Sequence, residues 1–184
     1  MTKQVVAVLG GTGLQGGGVV DALMSAGKFA VRVASRNPAS DAARALAARG
    51  VEVVKADLLD PSTLRSALEG AHGAFVVTNF WDPAQMPRET EIGTAAVQAA
   101  RDAGVKHLIW STLPDSEKLA GGRIKVAHFT GKARVDVAVK AAEFARHTFA
   151  MAPMYFQNFL TMMRPSLYRT AAAAGRCRSI PLRA

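Results

Sequence analysis

Residues 4–18 read Gln-Val-Val-Ala-Val-Leu and then Gly-Gly-Thr-Gly-Leu-Gln-Gly-Gly-Gly. Gln4 to Leu9 is a short β-branched apolar run that stops at a glycine cluster, the pattern of a buried parallel strand. Six of the chain's 16 glycines fall between residues 10 and 18. Gly10, Gly13 and Gly16 hold the first, fourth and seventh positions of a G-x-x-G-x-x-G motif, with Thr12, Leu14 and Gln15 between them. Such a turn carries the backbone from strand to helix and presents the free amides of the helix N-terminus to a pyrophosphate, while Gly16 permits close contact between helix and strand. The motif directly follows the first strand and opens the first helix of a βαβ unit, the context that separates a dinucleotide site from a flexible turn.

Outward from this loop the alternation continues. Leu14 to Ala26 repeats apolar residues at helical spacing and stops at Gly27; Phe29 to Ala34 is a second strand. A helix over 42–49, a strand over 51–56 and a helix capped by Asp60, with Pro61 at its tolerated first position, follow. Strands are expected over 74–78, 107–111 and 148–152, and helices over 89–103 and 132–145. Ile92, Ala95, Ala96, Ala99 and Ala100 give the helix from Glu89 a narrow small-residue face suited to packing on a sheet. Strands alternating with helices predict an α/β fold with a doubly wound parallel sheet.

The chain has 184 residues, 49% hydrophobic and 20% charged, which suits one domain with an aliphatic core. Cys177 is the only cysteine, so an intramolecular disulfide is excluded. No apolar run approaches the ~20 residues of a membrane span, and a cytoplasmic protein is expected. The net charge of +9 is uneven. Residues 1–92 carry equal numbers of acids and bases, and no acid follows Glu143. Much of the excess belongs to residues 161–184, expected to be a weakly ordered basic tail or the remnant of a further lobe. Basic charge alone is then weak evidence for nucleic acid, and no helix-turn-helix, zinc or RNA-binding signature accompanies it. His72, His107, His128 and His147 are isolated, so no metal site is expected.

The ends of the strands line the ligand crevice in such sheets. The second strand ends in Ala34-Ser35-Arg36-Asn37, without the carboxylate that bonds the ribose hydroxyls of NAD. Arg36 offers a guanidinium fork and Ser35 a hydroxyl for a 2′-phosphate, which favours NADP(H) over NAD(H). At the third strand's end, Asp57-Leu58 can accept from an adenine amine or simply cap a loop. Thr78-Asn79-Phe80-Trp81 closes the fourth, where the aromatics suit either core or a wall beside a nicotinamide.

These stretches together resemble the NmrA-like family of atypical short-chain dehydrogenase/reductases. The resemblance rests on GGTGLQGG (10–17), ASRNP (34–38), GVEVVKADLLDPSTL (50–64), VTNFW (77–81), GVKHLIWSTLP (104–114), GGRIKVAHFTGKARV (121–135) and MYFQNF (154–159). It implies a dinucleotide-binding Rossmann domain over residues 1–160, followed in the family by a smaller C-terminal lobe whose pattern stops near Asn158 to Met163. Members of the family are described as sensors of NADP(H) redox state that signal to protein partners; others are related to NADPH-dependent reductases acting on quinones or phenylpropanoids. Short-chain dehydrogenases carry Tyr-x-x-x-Lys, and this chain has His128-Phe129-Thr130-Gly131-Lys132. The resemblance therefore gives Lys132 a ribose and nicotinamide contact and leaves His128 either as a proton-exchanging substitute or as a histidine at a helix start. Ser111 matches the position of the substrate-orienting serine, or caps its strand. The resulting expectation is an NADP(H)-binding sensor or regulator with little or no catalysis. The alternative is an NADPH-dependent reductase of a quinone or other small carbonyl compound, using Lys132.

Overall fold

A computed structural model of the chain describes residues 2–160. The tail over 161–184 lies outside the described residues. Residues up to Ala152 make one compact unit. Pro153 onwards is a second unit, of which residues 153–160 are described, with a 3-10 turn at Phe156–Phe159.

Six strands form one parallel sheet: β1 (Gln4–Leu9), β2 (Phe29–Ser35), β3 (Glu52–Lys55), β4 (Gly73–Val76), β5 (His107–Thr112) and β6 (Arg146–Met151). Their order is β3-β2-β1-β4-β5-β6. β1 is flanked by β2 and β4, pairing Leu9 with Ala34 on one side and Val76 on the other. The connections reverse direction at β1, which opens a crevice beyond its carboxyl end.

The helices are α1 (Leu14–Ala26), α2 (Asp41–Ala48), α3 (Pro61–Leu68), α4 (Glu89–Asp102), the single turn α5 (Ser116–Leu119) and α6 (Ala127–Ala141). Local chemistry fixes their ends. Ser40 and Asp60 accept hydrogen bonds from Ala43 and Ser62 at the starts of α2 and α3, and Gly27 adopts the left-handed conformation after α1. Because β1 is covered on both faces, Ala7 and Leu9 join a core with Leu64, Leu68, Val97, Trp110 and Val135, while Val8 joins Val20, Val33, Leu46 and Phe75. The small-residue face of α4 also includes Gly93, where a Cβ would lie 2.7 Å from Val135 and 3.0 Å from Trp110, so α4 and α6 approach closely.

Several features differ from the sequence expectation: the last helix ends at Ala141 rather than 145, β4 and β6 cover Gly73–Val76 and Arg146–Met151 rather than 74–78 and 148–152, and two further differences bear on the site. The turn α5, capped by Asp115, was not foreseen. The last helix starts at Ala127 rather than at Lys132, because the chain turns helical directly after the extended Val126, whose carbonyl accepts from the Phe129 and Thr130 amides. Lys132 therefore sits in the second turn, not the first.

The glycines of α1 are not equivalent. A Cβ on Gly16 would lie 2.2 Å from the Gly10 carbonyl oxygen, whereas the space around exposed Gly18 is open for 4 Å. Gly18→Ala is expected to stabilise the fold by about 0.5–1 kcal/mol through the unfolded chain's lost freedom. Gly16→Ala should destabilise it by more than about 2 kcal/mol. Urea midpoints of the two variants check this, and equal effects would contradict it.

Candidate functional site

The site is built on the crossing from β1 to α1. Gly10 turns the chain at a φ of 90°, and its carbonyl accepts from the Gly13 amide at 3.0 Å. Gly13 then stands as the N-cap of α1 with no side-chain cap, and the first turn contains no acidic residue. The helix thus begins with a bare, positively polarised end directed into the crevice. Thr12 and Leu14 are exposed, and a Cβ at Gly13 would touch nothing closer than 3.4 Å, so an anion can approach the backbone. The loop fits a pyrophosphate.

Around this loop the strand ends supply side chains. Ser111 on β5 donates to Gln15 Oε1 at 2.9 Å, tying the start of α1 to the far side of the crevice. Ser35 is buried at the end of β2. Arg36, the next residue, pairs through Nη1 with Asp82 Oδ2 at 2.9 Å. The Ala84 amide, with the Arg36 guanidinium beside it, holds the Asp82 carboxyl below its usual range. Asp57 Oδ1 accepts from the Leu59 amide at 3.0 Å, and its own amide donates to Thr63 Oγ1, so this residue shapes the loop into α3. Leu58 packs against the core.

Beyond β4, Thr78 is buried and the Asn79 amide donates to the buried Gln85 side chain at 3.0 Å. Phe80, Trp81 and His128 form a cluster with ring centroids 5.2–5.3 Å apart, Phe129 stacking edge-on to His128 at 4.7 Å. Trp81 is 65% exposed, so this is an open aromatic wall rather than core. Burial, with Lys132 nearby, pushes the His128 imidazole below the ordinary histidine range, against the pull of Glu89.

Lys132 is buried and fully occupied. Its ammonium donates to Thr78 Oγ1 at 2.6 Å and to the Thr78 carbonyl at 3.0 Å, and lies 2.8 Å from Glu89 Oε1. Thr78 Oγ1 in turn donates to Glu89 Oε1 at 2.7 Å. An ammonium has three protons, and each has a partner within the protein. Burial pushes Lys132 below the usual lysine range, and the Glu89 carboxylate pulls it back up. Glu89 Oε2 is buried without a hydrogen-bond partner, and a Cβ on Gly131 would stand 2.9 Å from it. A groove of about 380 Å³ between the starts of α4 and α6 is lined by Met86, Glu89, Thr90, Gly131 and Arg134 among others.

Sequence reasoning missed Asp82, Gln85 and Glu89. Asp82 and Gln85 carried no signal, since both act through contacts across a loop. Glu89 did carry one: with Ile92, Gly93, Ala96, Val97 and Ala100 it falls on the buried face of α4 at helical spacing. A carboxylate on that face requires a buried partner. Among the described residues, no three His, Cys, Asp or Glu side chains gather to hold a metal ion, and no helix is long and apolar enough to cross a membrane.

The family model described as "NmrA-like family" matches residues 2–181. The chain is 38% identical over 161 residues to an NmrA-like family domain-containing oxidoreductase, FrzB, of a Cladobotryum species, covering 85% of this chain and 48% of that protein. Among solved structures it is similar to NmrA, a negative transcriptional regulator, in complex with NAD (28% identity, TM-score 0.74, 86% of this chain and 48% of that one). The same regulator in complex with NADP gives 28% identity and a TM-score of 0.71, over 82% of this chain and 45% of that one. An NADPH-dependent quinone oxidoreductase from Escherichia coli complexed with NADPH is 25% identical, with a TM-score of 0.67 over 84% of this chain and 51% of its own. The chain spans about half the length of the relatives it matches.

Two expectations follow from the geometry. Glu89→Ala leaves a buried ammonium without its counter-charge and should cost about 3–5 kcal/mol, whereas the apolar pair Glu89→Leu with Lys132→Met should cost far less than the two single changes added. A double-mutant cycle by urea unfolding measures the coupling; additive losses would mean the pair contributes nothing as a pair. Burial also holds His107 and His128 below the ordinary histidine range. The unfolded chain therefore binds more protons than the folded one as pH falls through about 6.5, and stability should drop with acidification over that window. The double variant His107→Gln/His128→Gln should flatten the profile, and an unchanged slope would exclude these two imidazoles as its source.

Proposed function

The chain belongs to the NmrA-like family, and on that premise we propose that it binds NADP(H) and acts as a redox-state sensor or regulator with little or no catalysis of its own. Residues Gly10 to Gly16 and the bare start of α1 take the pyrophosphate, and Ser35 with Arg36 takes the 2′-phosphate. Asp57 and Leu58 border the adenine. Thr78, Asn79 and Phe80 line the nicotinamide end, with Ser111 holding Gln15 toward the loop. When bound, the nicotinamide supplies the capacity to give or take a hydride.

The observation that carries the reading of weak catalysis is the state of Lys132. Its protons are committed to Thr78 and Glu89, so it is held as part of the floor rather than presented to a ribose. The residue four positions earlier is His128, not tyrosine. Burial keeps its imidazole neutral near pH 7, and a neutral imidazole is a poor proton donor to a carbonyl oxygen. A regulatory protein partner is part of this proposal.

The second reading is an NADPH-dependent reductase of a quinone or small carbonyl compound. It is favoured by the cluster of Phe80, Trp81 and His128, whose mutually tilted rings, with Trp81 exposed, offer an open aromatic surface for a small aromatic or quinone ring. In that case Lys132 acts through the electrostatics of the Thr78 end, with His128 or water supplying the proton.

Calorimetric titration with NADP+, NADPH, NAD+ and NADH tests the binding. Arg36→Ala should weaken NADP+ by at least about tenfold and NAD+ by less than about twofold; equal losses would remove the 2′-phosphate assignment. NADPH oxidation with a panel of quinones and aldehydes then separates the readings. Turnover by the wild-type chain would replace the sensor by the reductase, and its loss in a Lys132→Ala variant that circular dichroism shows to be folded would assign it to Lys132.

A further inference from the structure

Arg36 already has an anion. Its guanidinium sits 2.9 Å from Asp82 Oδ2, and the two residues come from opposite sides of β1: Arg36 directly follows β2, and Asp82 lies on the segment after β4. The sheet order places β1 between those strands. To meet, the pair must reach over the carboxyl end of β1, where Gly10 begins the phosphate loop. The ion pair is a strap across the crevice.

The two members of the strap differ in how firmly they are held. Asp82 belongs to a tight hydrogen-bonded turn. Its amide donates to the Asn79 carbonyl at 3.1 Å, its own carbonyl accepts from the Gln85 and Met86 amides at 2.9 Å, and Oδ1 accepts from the Ala84 amide at 3.0 Å. Gln85 closes the turn by accepting from the Asn79 amide. The Asp82 side chain is only 15% exposed, that of Arg36 57%. The arginine is the more exposed partner and the carboxylate the more firmly anchored one.

From this geometry we propose that Asp82 is a specificity-determining residue of the dinucleotide site: it competes with the 2′-phosphate of NADP(H) for Arg36 and so narrows the preference over NAD(H). The inference rests on the NADP(H)-binding reading above. A 2′-phosphate must draw Arg36 away from a fixed carboxylate and then lie near that carboxylate. A 2′-hydroxyl demands neither, so NAD(H) enters with the strap intact. An exposed ion pair is weak in water, which makes it a suitable adjustable counterweight rather than a block.

Asp82→Asn keeps the oxygen that accepts from Ala84 and removes the charge together with the acceptor that faces Arg36, so the turn is retained and the ion pair is not; circular dichroism and the urea midpoint check the turn. In calorimetry, Asp82→Asn should tighten NADP+ and the fragment 2′,5′-ADP by about threefold to tenfold and leave NAD+ within about twofold. The gain should shrink below about twofold in an Arg36→Ala background, because the competition needs the arginine. Weaker NADP+ binding in Asp82→Asn would overturn the proposal, since Asp82 would then be orienting Arg36 for the phosphate. So would equal gains for NADP+ and NAD+, or a gain that persists without Arg36. If the wild-type chain binds none of the three ligands, the NADP(H) reading itself fails; if it binds them and Asp82→Asn changes nothing, only the role of Asp82 does.

Discussion

Helix α1 reaches the end of β1 because position 16 has no side chain. Its Cα lies so close to the Gly10 carbonyl that a Cβ would sit 2.2 Å from the oxygen. This contact sets the angle at which α1 leaves the sheet and where its uncapped end points. The remaining features of the crevice are arranged around that end: Gln15 is tied to Ser111 across β4, Ser35 and Arg36 stand on one side, and the Thr78 to Asp82 segment on the other. A change in helix angle would move all of them relative to the loop. The direction of the bare helix end, and with it the proposed place for a pyrophosphate, thus follows from a backbone contact that side chains only border.

A second constraint lies beyond β4, at the residues proposed to border a nicotinamide. Lys132, Glu89 and Thr78 come from α6, the start of α4 and the residues after β4, and their buried hydrogen bonds join three elements at one point. The ammonium also lies over the Trp110 ring, 5.8 Å from its centroid, while the Trp110 indole donates to the Lys132 carbonyl. A lysine satisfied in this way, its charge balanced by Glu89, ties the elements together without offering a proton. A Tyr-x-x-x-Lys pair delivers its proton from the tyrosine, and this chain has His128 there, so binding and turnover are distinct questions for it.

The fold was legible where period and punctuation agree. The run Gln4 to Leu9, the glycines after it, Asp60-Pro61 and the small face of α4 each specify a local structure through short-range physics, and each appears at the expected place. The start of α6 was not legible, because its buried face is Thr130, Lys132, Val135 and Val139, and the two polar members hide the apolar stripe that periodicity detects. Among candidate site residues, the geometry of the glycine loop could be read directly, since glycine spacing reports the backbone turn and the close approach at Gly16. Asp82 could not, because an ion pair between residues 46 positions apart leaves no mark on either local sequence, whereas Glu89 shows as a carboxylate on the buried face of α4 although its partner, 43 positions away, does not. Asp57 illustrates the remaining ambiguity: a strand-end carboxylate looks the same in sequence whether it faces a ligand or, as with its bond to Leu59, ties its own loop.

The packing of Gly131 against the Glu89 carboxylate has a consequence for how this sequence can change over time. The free oxygen of Glu89 occupies the space that any side chain at 131 would need, and the other oxygen neutralises Lys132. A lineage that loses the carboxylate strands a buried cation, and one that loses the lysine strands a buried anion, so single steps away from the trio lead downhill in stability before any new arrangement can form. Positions 89, 131 and 132 therefore form a locked set, free to drift only together. An exposed position that touches no such partner, as Gly18 on the outer face of α1, carries no comparable constraint.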